Sequence, residues 1–317
     1  MDNFRRLSSG FSIQITADED GFTGRECPNP ECEGYFKMEF GTGLKEENQP
    51  CHCPYCGHTA SHDNFWTKEQ IEYAKSVSIR TITDAIFKDL KELEFNHKPK
   101  GSFGIGLSLE VTRGTPHPIH YYREKKLETE VVCGKCTLHY SVYGVFAFCP
   151  DCGQHNSLHI LNMNLEIVKK MLLLSRTSGK ELAEKLVENA LEDCVSSFDG
   201  FGREICRVNA KKATNPSKAE NISFQNLEGG KQKVNELFNI DLSSSLTLDE
   251  WKVLGIGFQK RHLLSHKMGV IDEEYIRKSG DAHAVIGRKI NIIKEEVNEI
   301  VRIVNKIAFY MDAEIGK

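Results

Sequence analysis

The sequence predicts an α+β chain made of two unlike parts, a cysteine-rich α+β module over residues 1–157 and an all-α bundle over residues 158–317. Three observations predict it. Eight of the eleven cysteines fall into four close pairs, all before residue 153. The stretches beside those pairs alternate apolar and polar side chains over strand lengths. From about residue 158 onward, apolar residues recur at three and four, the spacing of amphipathic helices.

Length and composition set the bounds. A chain of 317 residues can bury the cores of two or three domains. No apolar run approaches the roughly 20 residues of a membrane span. The start, Met1-Asp2-Asn3-Phe4-Arg5-Arg6, lacks the apolar core of a secretory signal. A cytoplasmic location without a membrane partner is therefore expected. In that compartment, cysteines at short spacings are better read as metal ligands than as disulfides. The formal charge is −4. Two four-thiolate sites, each filled by a dication, would bring it to about −8. Overall charge therefore does not draw this chain to nucleic acid, and any such contact must be local.

In chain order, residues 11–16 alternate and predict a strand. Cys27 and Cys32 form a loose first pair, and Cys53-Pro-Tyr-Cys56-Gly57 a tighter second one. A C-x2-C-G turn aims two sulfurs at one point, and two such turns close a tetrahedral site for Zn²⁺. Tyr35, Phe36, Met38 and Phe40 predict a hairpin strand between them. Cys51, His52, His58 and His62 are spare, although Cys51 or a histidine could exchange with a ligand. Four thiolates leave no open position, so the zinc is structural. Thr67 with Gln70 makes a capping box that opens a helix over about 66–95. Its stripe of Ile71, Ala74, Val77, Ile82, Ile86, Phe87, Leu90 and Leu93 predicts a core-facing side. Residues 101–111 carry glycines but alternate like a strand, and no Gly-Lys-Ser/Thr follows to make a phosphate loop. Between Arg113 and Lys126, cations lie among Tyr121 and Tyr122, a composition suited either to RNA or to a solvated loop. Cys133-Gly-Lys-Cys136 and Cys149-Pro-Asp-Cys152-Gly153, twelve residues apart, are a strong signal for a second Zn²⁺ ribbon. The two clusters differ in spacing and do not read as tandem copies. Strands from 10–20 and 101–112 would complete one unit around them.

The second part opens with helix around Leu158. Ser178 with Glu181 reads as a capping box for a helix reaching about residue 211, in which Cys194 and Cys206 are core thiols. Residues 212–223 form a polar connector, and a short helix runs to Phe238. Thr247 with Glu250 caps the next helix, whose apolar side carries Trp251, Leu254, Phe258 and Leu263 and which stops near Gly269. A last helix over about 285–313 carries a sustained stripe of Ile286, Ile290, Ile293, Val297, Ile300, Val301, Val304 and Ile307, enough for a core and a dimer surface.

Near the end of the Thr247 helix stand Arg261, His262 and His266. The two histidines are one turn apart on one face. Histidine can give or take a proton near neutrality, and arginine can hold a phosphate. That trio suits RNA cleavage without a metal, though a short pattern of this kind is also the polar flank of many core helices. The stretch Arg261-His262-x3-His266, with the continuation Lys267-Met268-Gly269 to Tyr275, resembles the signature of the HEPN superfamily. The resemblance covers the chain from about residue 160 to its end. It implies a helical bundle, a metal-independent endoribonuclease with RNA as substrate, and an active site shared across a homodimer. It also implies a toxin or antiphage-defence role, held in check by a regulatory protein or trigger. Other members of that superfamily are not catalytic, which leaves an adaptor that dimerises and binds nucleic acid or protein. A third reading makes this half the target of a nucleotidyltransferase partner, with Tyr275 as acceptor.

Overall fold

The computed structural model describes residues 2–7, 10–45, 49–98 and 106–317. The chain is mixed α/β, roughly half helical with small sheets. It divides into two compact units at residue 154/155, three residues before the boundary drawn from the sequence.

The N-terminal unit holds a short helix α1 (Asp2–Leu7), strands β1 (Thr23–Glu26), β2 (Tyr35–Met38), β3 (Pro50–His52) and β4 (Thr59–Ser61), and the long helix α2 (Lys68–Lys91). Strands β5 (Phe95–His97), β6 (Leu107–Leu109), β7 (Thr129–Val132) and β8 (His139–Val142) follow. One antiparallel sheet has the order β1-β2-β8-β7, so hairpins from the two cysteine clusters share a sheet. The core is built on that sheet. Phe36, Met38, Leu138, Tyr140 and Val142 are buried among the cysteines, and Phe36 meets Phe65 edge-on at 5.9 Å.

Three expectations for this unit are corrected. Residues 11–16 are not a strand, because alternation supplies a face but no partner to bond. Of the strand expected at 101–111, residues 101–105 lie outside the described residues. Leu107–Leu109 pairs only with Phe95–His97, in an exposed hairpin apart from the main sheet. Helix α2 opens with the Thr67–Gln70 capping box, but its apolar stripe does not form the core. Ile71, Ile86, Leu90 and Leu93 are exposed, and the buried residues are Gln70, Ser76, Ala85 and Asp89. The inward side is polar because it binds the backbone of irregular segments. Asp89 accepts from the N–H groups of Asn3 and Phe4, and Ser76 Oγ accepts from the His120 N–H. Gln70 Nε2 donates to the Gly24 carbonyl.

The C-terminal unit is all helical: α3 (Ser157–Leu174), α4 (Lys180–Val208), α5 (Pro216–Ala219), α6 (Leu227–Phe238), α7 (Leu248–Lys267), α8 (Glu273–Ser279) and α9 (Lys294–Ile315), with short 3-10 turns between some of them. Its core takes Leu161, Leu165 and Leu172 from α3, a long face of α4, and Val297, Ile300, Val304 and Ile307 from α9. Phe198 is a hub, meeting Phe224 at 5.7 Å and Phe258 at 6.1 Å, both edge-on. Cys194 and Cys206 are buried in this core.

Here two expectations fail. Ser178 does not cap α4, whose N-cap is Gly179 without a side-chain bond. The Ser178 hydroxyl instead donates back to the Leu174 carbonyl, finishing the preceding helix. The last helix begins at Lys294, not near 285. Gly287, at φ 81°, breaks the run before it, and Ile290 joins a small separate cluster with Leu263, Ile271 and Tyr275. No helix among the described residues is long and apolar enough to cross a membrane.

Candidate metal centres and a candidate catalytic helix end

Each cysteine pair is shaped by its own turn. In three of them the first cysteine's carbonyl accepts, at 3.0 Å, from the residue four on: Gly57 to Cys53, Thr137 to Cys133 and Gly153 to Cys149. The residue after each second cysteine takes a left-handed conformation: Glu33 (φ 43°), Gly57 (69°), Thr137 (63°) and Gly153 (65°). That conformation closes the turn, within which backbone N–H groups point back at sulfur. The Tyr55 N–H reaches Cys53 Sγ and the Lys135 N–H reaches Cys133 Sγ, each at 3.4 Å. Glycine does this without strain. Glu33 and Thr137 hold it against the usual steric penalty of about 1–2 kcal/mol.

The turns gather Cys27, Cys32, Cys53 and Cys56 into one cluster, and Cys133, Cys136, Cys149 and Cys152 into another, all sulfurs within 4.8 Å in each. Cys27–Cys56 and Cys32–Cys53 are 3.7 Å apart, Cys133–Cys152 3.6 Å and Cys136–Cys149 3.4 Å. Four thiolates at about 2.3 Å from a tetrahedral ion would stand about 3.8 Å from one another, so the donor sets fit such an ion. Burial pushes Cys27 up to about 12 and Cys53 higher still. In the second cluster the hydrogen bond with Cys149 instead draws Cys133 down to about 4, and in both clusters a bound cation would hold all four sulfurs as thiolates. The two clusters could therefore each hold a metal ion. Cys51 belongs to neither. It is fully buried on β3, where burial raises it to about 12. His52 binds the Thr59 hydroxyl, and neither His58 nor His62 enters a cluster.

The two ribbons, unlike in spacing, are built alike. Lys37, five residues after Cys32, pairs with Ser141, five after Cys136. Glu26, just before Cys27, pairs with Tyr35, and Val132, just before Cys133, pairs with His139. The His52 N–H donates to Pro150 O at 2.7 Å, and the Phe148 N–H donates to Pro54 O at 2.8 Å. These matched pairs define a local pseudo-twofold axis through Lys37 and Ser141. The clusters, which do not read as tandem copies in sequence, thus share one arrangement of paired residues and are bonded to each other.

In the C-terminal unit, helix α7 opens with the Thr247–Glu250 capping box and ends at Lys267, with Met268 (φ 53°) and Gly269 (φ 76°) both left-handed. The histidines stand together: the rings of His262 and His266 are 4.7 Å apart, centre to centre, and tilted by 54°. His266 is exposed and His262 half-buried. Burial lowers His262 from its ordinary value near 6.5, and His266, Lys267 and Lys278 push the same way against Glu274.

Arg261 is placed differently. It is 8% exposed, and its Nη2 donates to the Gln225 carbonyl at 3.3 Å. Its Nε is buried without a partner. Burial depresses it, while Asp199 and Glu192 oppose the shift. So the structure brings the two histidines together at the surface and turns the guanidinium into the chain beside them. Sequence reasoning did not find Gln225, nor Asp199, which accepts from the Phe224 N–H at 2.5 Å and steadies the same loop. No periodic or spacing signal marks either. Tyr275 is 2% exposed with its hydroxyl donating to Asp281, so it is not placed to accept a nucleotidyl group.

What the fold and sites define is a class only: a two-unit α/β chain with paired four-cysteine centres and a histidine pair on a helix end. No protein-family model matches it, and neither does any curated protein or solved structure.

Proposed function

We propose that this protein is a metal-independent endoribonuclease of the HEPN type, working as a homodimer, with two structural Zn²⁺ ions in the N-terminal unit. The observation that carries the reading is the histidine pair, 4.7 Å between rings at the open end of α7, following a buried arginine in the sequence. In the reaction, one imidazole takes the proton from the ribose 2′-OH. The 2′-oxygen attacks phosphorus, and the 5′-oxygen leaves with a proton from the other imidazole. The products are a 2′,3′-cyclic phosphate and a 5′-hydroxyl. His262, whose surroundings favour the neutral ring, takes the part of base, and His266 is left the complementary proton transfer. Among the described residues only Nη2 of Arg261 has an acceptor, the Gln225 carbonyl, and the guanidinium is the cation that would offset the charge growing on the phosphorane. A second copy would set two such helix ends about one twofold axis and double the local cations. A toxin or antiphage-defence role, restrained by a regulatory protein or trigger, follows from the same resemblance. Zn²⁺ suits the thiolate sets and would only hold the ribbons, having no open position.

One observation favours a second reading. Arg261 is turned inward to the Gln225 carbonyl, as a residue that only braces a loop would be. In that case the helical unit dimerises and the ribbons bind protein or nucleic acid without catalysis. The test is cleavage of a mixed RNA pool, with free divalent ions briefly chelated, by wild type and His266→Ala. The nuclease reading expects cyclic-phosphate ends from wild type and a rate about 10²–10⁴-fold lower in the variant. Equal cleavage by both, or none by a wild-type dimer across cell extracts that supply triggers, overturns it in favour of the adaptor.

A further inference from the structure

The N-terminal unit carries a cleft of about 660 Å³ that neither the metal centres nor the histidine pair uses. Three tyrosines line it, together with charged residues. Tyr73 on α2 lies 6.1 Å from Tyr121 at a 41° tilt and 5.7 Å from Tyr122, edge-on at 66°. Tyr121 is 79% exposed, a large aromatic face left to solvent.

The segment that presents this face is irregular in backbone and yet tied down. Ser76 Oγ holds the His120 N–H at 3.0 Å, and Arg80 donates to the His117 carbonyl at 3.1 Å. Glu124 is drawn inward, accepting from Tyr35 Oη at 2.5 Å and from Gln70 Nε2 at 3.0 Å. Exposure alternates along the segment: Tyr122 and Glu124 are half-buried, while Tyr121 and Arg123 are exposed. Such a platform loses little further freedom on binding.

The charges on the cleft's walls decide the ligand. Asp18 is occupied by Lys37 at 2.7 Å. Among the described residues, Glu19 and Asp20 on one wall have no ion-pair partner for their carboxylates, nor do Arg123 and Lys126 for their cations. A cationic peptide side chain would suit the tyrosines and the acids but would meet Arg123 and Lys126. A simple anion would leave the aromatic face unused. A nucleotide uses all three: a flat base on Tyr121, exocyclic N–H groups for the carboxylates, and phosphate for the cations. A purine covers the tilted tyrosine pair better than a single ring, and the volume is that of a small-molecule site.

We propose that this tyrosine-lined cleft binds a purine nucleotide, either free or as one residue of a single-stranded RNA. The proposal does not depend on the nuclease reading, since a protein that never cleaves RNA can still bind here.

The test is calorimetric titration of the full zinc-loaded chain carrying His266→Ala, which keeps RNA intact, with AMP, GMP and a short single-stranded oligoadenylate. Binding of AMP or GMP, weakened about 10-fold or more by Tyr121→Ala and kept within about twofold by Tyr121→Phe, is expected for a free-nucleotide site. The same pattern with the oligoadenylate alone assigns the site to the RNA chain. Tyr121 is exposed, so its variants are not expected to disturb the fold. No binding of any probe, or binding that Tyr121→Ala leaves unchanged, overturns the proposal.

Discussion

His262 shows how a single residue ties the helix end to pH. Its folded-state value lies below 6.5, first through burial and then through His266, Lys267 and Lys278, with Glu274 opposing. Above 6.5 the ring is neutral in both folded and unfolded chains and pH has no effect through it. Below 6.5 the unfolded chain takes up the proton and the folded chain does not, so stability is lost as pH falls toward the lowered value. We expect His262→Gln to lose less stability than wild type on going from pH 7 to 5. The gap should stay under about 1 kcal/mol, because solvent screens a half-exposed ring. Denaturant midpoints at the two pH values measure it, and a steeper fall in the variant contradicts the assignment. The same depression keeps His262 ready as a base at neutral pH, which joins the stability effect to the proposed chemistry.

At the scale of elements, legibility followed local chemistry. Both capping boxes at Thr67 and Thr247 were readable because a hydroxyl and a long polar side chain three residues on are all they need. Ser178 offered the same pair of residue types and is not a cap, since its hydroxyl was taken by a carbonyl one turn back. The stripe of α2 was legible as a pattern but not as a core, because polar contacts to α1 and to the 117–124 segment decide which side is covered. The cysteine turns were legible from spacing. The inward turn of Arg261 was not, since it depends on a loop 36 residues away. That loop is fixed by Phe224, whose fully buried ring lies against Gly202 on α4 and Gly230 on α6. A Cβ at Gly202 would stand 2.5 Å from the ring and one at Gly230 2.8 Å. Gly202→Ala should therefore destabilise the C-terminal unit by about 1–3 kcal/mol, despite alanine's better helix propensity. Thermal unfolding measures this, and a neutral or stabilised variant would show that the Phe224 contact is loose. Because Gln225 follows Phe224, the variant should also slow any RNA cleavage that relies on Arg261.

At the scale of the whole molecule, the two cysteine centres should behave as one. Each ribbon lends its partner a backbone acceptor, Pro150 to His52 and Pro54 to Phe148, and their central strands are bonded through Lys37–Ser141 and Met38–Tyr140. Cysteines of both clusters belong to one buried core with Phe36, Leu138 and Tyr140. If one metal leaves, its four cysteines, two or three of them buried, must be protonated or solvated, and the sheet that carries the other site loses half its support. Release should therefore be cooperative: a chromophoric chelator removes two ions per chain in a single transition. The C-terminal unit has its own core and most of the helix, so the far-ultraviolet helical signal should largely survive that transition. Two separate release steps would mean that the ribbons are independent despite the shared sheet. Loss of the helical signal together with the metal would mean that the second unit leans on the first for its stability. Since chelation is also the means of testing for metal-independent cleavage, the outcome sets how that test must be run. A single release step requires metal content to be measured alongside activity, so that loss of the ribbons is not mistaken for a need for metal in catalysis.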